Sequence, residues 1–277
     1  MQQYEPTLSL VGRLLLAALF LWAGLHKVFN PEGTQQYMAA YGLTMGTMLL
    51  YFAATVIEFG GGIALALGHT TRDAVLLLVL FMVMVTGIFH THLTDTNQVI
   101  HFAKNLAITG GLFYVLAYGP GAFSIGGRAE QPAGADVTGL RQAALTLAGR
   151  IFLGGLFLLS GLNKLLDPIG TRQYMVGMGM TPGTELFYAA AIVLELGGGL
   201  SLLLGWWTRA GAAALILFLV PATTIFHRTS VSFVLDATVQ DQQFHLMKNL
   251  AIIGGLAYVL AYGAGSLSLD ARQRSGR

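Results

Sequence analysis

The sequence predicts an all-α membrane protein whose eight transmembrane helices form two parallel tandem four-helix bundles. Three observations carry this expectation. The chain is 55% hydrophobic and only 10% charged, against about 25% charged residues in soluble domains, and its mean hydropathy is +0.65. Apolar runs of roughly 18–22 residues recur along it, each long enough to cross a hydrocarbon core at about 1.5 Å rise per residue. The second half also repeats the first. Gly12-Arg13 returns as Gly149-Arg150, an offset of 150 − 13 = 137, which also relates Lys27 to Lys164, Glu58 to Glu195 and His90 to His227. Further residues then enter the second copy, 144 − 137 = 7 of them, and His101 and Lys104-Asn105 return as His245 and Lys248-Asn249 at an offset of 144.

The repeat divides the chain into a first unit over residues 1–121, a linker over 122–141, a second unit over 142–270 and a tail over 271–277. The first span is expected near 8–28. Its apolar run is longer than a signal-peptide core and no small-x-small cleavage site follows, so it reads as a retained span. Asn30-Pro31 closes it, because proline disfavours helix in the residue before it. Residues 33–46 are mixed polar and aromatic and too short to span, and a short interfacial helix is expected there. The second span, near 47–68, holds Glu58 as its one charge, followed by Gly60-Gly61-Gly62. Gly68-His69-Thr70-Thr71-Arg72 makes a tight turn into the third span near 73–91, and a polar loop over 91–100 leads to the fourth near 102–119. The second unit repeats this order near 145–165, 184–205, 210–227 and 246–263, with Asp167-Pro168 ending its first span. An even number of spans per unit inserts both in the same sense, about a pseudo-two-fold axis along the membrane normal. A modest excess of basic residues at the end shared by the termini, nine against six, favours both termini in the cytoplasm.

Composition also excludes. A net charge of +2 does not suggest a nucleic-acid partner. The absence of cysteine removes disulfides, thiol catalysis and Cys-ligated metals within this chain. No GxGxxG after a strand, P-loop or nucleophile elbow occurs, which speaks against nucleotide binding and serine hydrolysis.

The polar residues inside the apolar runs are the candidates for function. A charge near the bilayer centre costs about 2.5–3.5 kcal/mol on insertion scales, so Glu58 and Glu195 need a partner or a proton. Lys27, His90, His101, Lys104 and Asn105 gather at the span ends away from the termini, and Lys164, His227, His245, Lys248 and Asn249 repeat them. His101, Lys104 and Asn105 stand at i, i+3 and i+4 and share one helix face. Arg13 and Arg150, one turn into the membrane from the inner side, and Arg72 and Arg209 at the tight turns read as structural polar residues. The functional reading is a polar pocket in each unit, with the carboxylate at its floor as a proton-relaying catalytic group. The histidines, lysines and asparagines would then bind a polar head group. A quinone head group suits such a site, since its carbonyls need donors and its reduction needs protons. The structural reading has the lysines snorkelling to the interface, the histidines capping helix ends, and each glutamate pairing with a basic residue to hold the bundle. Gly60-Gly61-Gly62 likewise serves either close helix packing or approach to a flat ring. A bis-histidine haem between His90 and His101 is sterically conceivable, but the chain offers few other ligands, and no haem or metal is expected.

The arrangement of Gly12-Arg13, Gly24 and Lys27, then Glu58, Gly61-Gly62, Gly68 and Arg72, then His90, then Lys104-Asn105-Leu106-Ala107 and Gly110, repeated from Arg150 to Gly254, resembles the DoxX family of small four-helix membrane proteins. The usual member is similar to one unit, so this chain resembles a fused pair. The resemblance implies a bacterial or archaeal cytoplasmic-membrane location. It also implies a redox-linked subunit touching the quinone pool, as in subunits associated with thiosulfate:quinone oxidoreductase or a terminal quinol oxidase, with other membrane or redox subunits as partners. It assigns no catalytic role to any residue. Two rivals stand beside it, a structural or assembly subunit of a larger membrane complex and a small-molecule transporter built from parallel repeats.

Overall fold

The structure is a computed structural model and describes residues 2–126, 135–227 and 237–275. The first unit contains α1 (Glu5–Phe29), α2 (Pro31–Ala40), α3 (Thr47–Leu67), α4 (Thr71–Phe89) and α5 (Thr96–Tyr118). The second contains α6 (Ala135–Leu166), α7 (Pro168–Gly177), α8 (Thr184–Leu204), α9 (Thr208–Phe226), α10 (Ala237–Tyr262) and the short α11 (Leu269–Ser275). All but α2, α7 and α11 are long and apolar enough to cross a membrane, which gives eight candidate spans. The expected short helices are α2 and α7. Each starts with proline, where the missing N–H costs nothing, and is capped by the residue before it. Asn30 Oδ1 accepts from the Gly33 N–H at 3.1 Å, and Asp167 Oδ1 from the Gly170 N–H at 2.9 Å.

Three spans begin earlier than the hydropathy suggests. Helix α5 starts at Thr96, not near 102, because Asp95 caps it, accepting from the N–H of Asn97 at 2.7 Å. Much of the expected polar loop over 91–100 is therefore helix. Helices α10 and α6 likewise start at Ala237 and Ala135. The seven-residue insertion after His227 and residues 127–134 of the expected linker lie outside the described residues.

The packing interlocks the two units. Helix α1 packs against α3 and α10 and only grazes α5, while α6 packs against α5 and α8 and only grazes α10. Helices α5 and α10 pack on each other. The fourth helix of each unit thus closes the other unit, and a single core runs through both, with Leu16, Leu112, Leu153 and Leu256 all fully buried in it. Glycines permit these seams. A methyl on Gly12 would lie 2.7 Å from the Gly254 carbonyl, one on Gly110 2.7 Å from the Gly149 carbonyl, and one on Gly111 2.9 Å from Gly255 Cα. Missing side chains let helix backbones approach in this way. The Glu-Gly-Gly-Gly stretch follows the same logic: a methyl on Gly62 would meet the Leu21 backbone N at 3.0 Å and one on Gly61 would meet Leu78 at 2.9 Å, whereas Gly60 faces open space.

Buried arginines tie the end that carries the termini. Arg13 donates to the carbonyls of Pro120 at 2.6 Å and Phe123 at 2.5 Å. Arg150 donates to those of Leu202 and Leu267, and Arg209 to that of Ala261 at 2.8 Å. Arg72 sits half-buried in the first turn of α4. Arg13→Leu leaves carbonyls without their donor, at about 1–3 kcal/mol for each one kept from water. Thermal unfolding in detergent is expected to show a lowered midpoint, with Arg13→Lys recovering only part of it because a point ammonium replaces a two-pronged guanidinium.

Candidate functional site

Each intramembrane carboxylate is paired within its own unit. Lys27 Nζ lies 2.5 Å from Glu58 Oε2, and Lys164 Nζ 2.8 Å from Glu195 Oε2. The second pair has an extra partner, since Ser160 Oγ donates to Glu195 Oε1 at 2.9 Å. The equivalent position in the first unit is Ala23, which offers no hydroxyl. The lysines reach inward to the carboxylates and do not merely snorkel. Tyr51 and Tyr188 fix their backbones, each donating its hydroxyl to the lysine carbonyl, at 3.1 and 3.0 Å.

A cavity of about 600 Å³ opens beside Lys27 and Glu58, between helices α1 to α5 and α10. Leu19, Phe20, Ile57, Met82 and Val85 form an apolar wall. Tyr37, Tyr41 and Phe89 form an aromatic cluster at one side, with Tyr37 stacked on Phe89 at 5.2 Å. Burial pushes the Tyr37 hydroxyl upward, so it stays protonated. The polar end is formed by Lys27, Glu58, His90, His101 and Asn105 of the first unit and by Asp241 and Lys248 of the second. Two buried polar atoms in this wall have no protein partner, His26 Nε2 and Asn105 Oδ1. Asn105 is held by its other end, Nδ2 donating to Thr86 Oγ1 at 3.0 Å, and Asn249 does the same to Thr223. His26 is wedged by Trp22, on which Phe244 of α10 packs edge-on at 4.8 Å.

Between the units lies a row of four imidazoles. His90 stacks on His101 at 5.3 Å and His245 on His227 at 5.1 Å, while the central His101 and His245 rings meet tilted at 4.5 Å. Lys248 Nζ contacts His101 Nδ1 at 2.8 Å, and Lys104 Nζ contacts His245 Nδ1 at 3.0 Å. On the far side of the rings, His101 Nε2 is 3.0 Å from Asp241 Oδ1, and His245 Nε2 is 3.2 Å from Asn97 Oδ1. Where the lysines are ammonium groups, which only donate, each Nδ1 accepts and each Nε2 carries the hydrogen given to Asp241 or Asn97. Gln98 and Gln242 hold the outer rings at His90 Nδ1 and His227 Nδ1, at 2.7 and 2.8 Å. Burial, reinforced by the Lys248 charge, lowers His90 to about 4, and burial lowers His227, which keeps both neutral near pH 7.

The structure brings the expected residues together with one exchange. Lys104 does not share a pocket with His101 and Asn105, as its i+3 spacing suggested. The close α5–α10 approach at Gly111 and Gly255 aims Lys104 at His245 of the second unit, and Lys248 at His101 and the first cavity. Sequence reasoning passed over Asn97, Gln98, Asp241 and Gln242, which fell before the expected spans. Extending the helical face four residues back from His101 and His245 finds all of them. It also passed over His26, hidden in an apolar run. The His90 and His101 rings lie nearly parallel, at 7°, so they meet through their faces and no nitrogen pair points at a common iron. His101, His245 and Asp241 bring ligand atoms within 4.8 Å of one another. A metal-bound imidazole normally donates its second N–H to an acceptor, whereas here an ammonium donor sits at that position on both rings.

Fold and site together define an integral membrane protein of two interlocked repeats around a buried polar centre. The chain belongs to the DoxX family, which matches it twice, over residues 8–91 and 145–228. Both matches stop before α5 and α10, the helices that carry most of the central residues. Among similar proteins are two from Escherichia coli (strain K12). Inner membrane protein YqjF is 38% identical over 125 residues, which is 45% of this chain and 94% of that protein. Inner membrane protein YphA is 32% identical over 127 residues, 44% of this chain and 89% of that protein. A stretch of less than half this chain thus spans nearly all of either relative. No solved structure matches the chain.

Proposed function

We propose that the first-unit cavity binds an amphipathic ring compound of the quinone class at its polar end, and that the chain serves redox chemistry as a membrane subunit, in a bacterial inner membrane with both termini cytoplasmic. The observation that carries this reading is the pair of buried atoms without protein partners, His26 Nε2 and Asn105 Oδ1, in the wall of a cavity of about 600 Å³ with one apolar side and one polar end. Leaving such groups unsatisfied costs about 1–3 kcal/mol each, which a ligand's polar groups would offset. A quinone takes up protons when it is reduced: its carbonyl would accept from a His26 Nε2–H, and the hydroxyl formed on reduction would donate to Asn105 Oδ1. His26 and Asn105 would hold its head, the Phe89 and Tyr37 rings would flank it, and Lys27–Glu58 and Lys248–His101 would exchange its protons. Electrons would come from a partner subunit or a soluble donor.

Native mass spectrometry of protein purified in mild detergent is expected to show co-purified quinone. Asn105→Leu and His26→Phe are expected to reduce its occupancy at least tenfold, a loss of about 1.4 kcal/mol, with folding unchanged. Quinone absent from wild type, together with membrane subunits retained in fixed stoichiometry, would instead support an assembly role.

A further inference from the structure

The central bridge has a feature that the cavity reading does not use. The two arms of the bridge are near copies, Lys248–His101–Asp241 and Lys104–His245–Asn97, and they differ at their last member. Position 97 plus the offset of 144 is position 241, so the same helical site is an amide in one unit and a carboxylate in the other. An amide oxygen accepts a hydrogen bond but cannot carry a proton away. The Asp241 carboxylate can, and it reaches both arms, with Oδ1 3.0 Å from His101 Nε2 and Oδ2 3.6 Å from His245 Nε2. Its side chain is 37% exposed, while those of His101 and His245 are 8% and 7% exposed. The bridge thus meets solvent at Asp241 and at the exposed Asn97, and of the two only Asp241 can carry a proton.

We propose that Asp241 is a shared proton port, passing protons between water at the end opposite the termini and the buried Lys–His arms of both units. The transfer balances without redox chemistry. A proton moves from Lys248 Nζ to His101 Nδ1 while the His101 Nε2 proton moves to Asp241, which then releases it to water. One N–H bond of lysine breaks, the imidazole exchanges one N–H for the other, and the O–H bond formed on aspartate breaks last. Uptake runs the same steps in reverse, and the Lys104–His245 arm uses Oδ2 of the same carboxylate. Lys248 lines the first cavity, so this arm ends where a bound head group would need its proton. The port itself holds whatever the cavity binds. The ionisable groups around Asp241 are His101 and Lys104 on α5, His245 and Lys248 on α10, His90 just after α4, His227 just after α9 and Tyr37 on α2. Imidazoles this closely coupled titrate as a set, not singly.

Imidazole ¹⁵N spectra of histidine-labelled full-length protein in detergent, with no ligand added, test the port directly. His101→Gln and His245→Gln assign the two signals. The wild type is expected to show both rings as the Nε2–H tautomer near pH 7, and both signals are expected to move together when the pH falls through the titration of Asp241. Asp241→Asn is expected to abolish that common movement at both rings. The exchange Asn97→Asp with Asp241→Asn keeps one carboxylate on the axis and is expected to restore it, which covers the case in which Asp241→Asn alone folds poorly. Movement of His245 that survives Asp241→Asn would overturn the shared port, as would failure of the exchange variant to restore it in a folded protein. Neither outcome depends on whether the cavity binds a quinone.

Discussion

Lys27→Met is expected to destabilise the protein by about 3–5 kcal/mol, the loss typical when one partner of a buried ion pair is removed and the other charge is stranded. Glu58 is the charge left behind. Its side chain is 9% exposed, Lys27 lies 2.5 Å from it, and the first unit has alanine where the second has Ser160. No hydroxyl is therefore in place to take over. Lys164→Met should cost less, because Ser160 Oγ still donates to Glu195 at 2.9 Å. The double variant Lys27→Met with Glu58→Gln removes both charges and should recover a large part of the loss. Chemical unfolding of the four proteins in one detergent measures this. Equal losses for Lys27→Met and Lys164→Met would contradict the role given to Ser160.

Gly111→Val is expected to have the next largest effect. A single methyl at this position would lie 2.9 Å from Gly255 Cα, a contact between two backbones that no rotamer change relieves. Overpacking of this kind costs typically about 1–3 kcal/mol, and this site should lie at the upper end because the helices themselves must separate. The separation would also stretch the Lys248–His101 and Lys104–His245 contacts, which cross the same seam. Gly60→Ala is the control, since a methyl there meets nothing within 4 Å, and it should be close to neutral in the same unfolding assay.

The spans, the short helices α2 and α7 and the repeat are legible in the sequence, because each rests on local chemistry. Apolar length, Asn30-Pro31 and Asp167-Pro168, and the self-match of the halves need no knowledge of packing. That Glu58 needs a partner follows from the cost of an unpaired intramembrane charge, whereas the choice of Lys27 is settled only by packing. The exchange of fourth helices is not legible in the same way. Hydropathy marks α5 and α10 as spans but says nothing about which first helix they adjoin. The information resides in Gly12, Gly110, Gly111 and Gly254, which read equally well as packing within one bundle. The site was half-seen for the same reason. His101 and Asn105 share one helix face and line one cavity, while Lys104, at the same spacing, contacts His245 of the other unit. Asp241 and Asn97 were lost because polar residues at the start of a membrane helix depress its hydropathy, so the span seems to begin after them.

The central claim is that α1 of the first unit packs on α10 of the second and only grazes α5 of its own, so that α10 completes the first cavity. Trp22 of α1 and Phe244 of α10 meet at 4.8 Å, and the position equivalent to Phe244 on α5 is Ile100, since 244 − 144 = 100. The chain has no cysteine, so paired cysteines can be introduced cleanly. Trp22→Cys is combined with either Phe244→Cys or Ile100→Cys, treated with a short bis-maleimide in native membranes, and then cut at a protease site placed between the units. The account predicts that the halves stay joined in the Trp22–Phe244 pair and separate in the Trp22–Ile100 pair. Halves that separate in the first pair, with an internal crosslink in the second, would show self-contained bundles and contradict it.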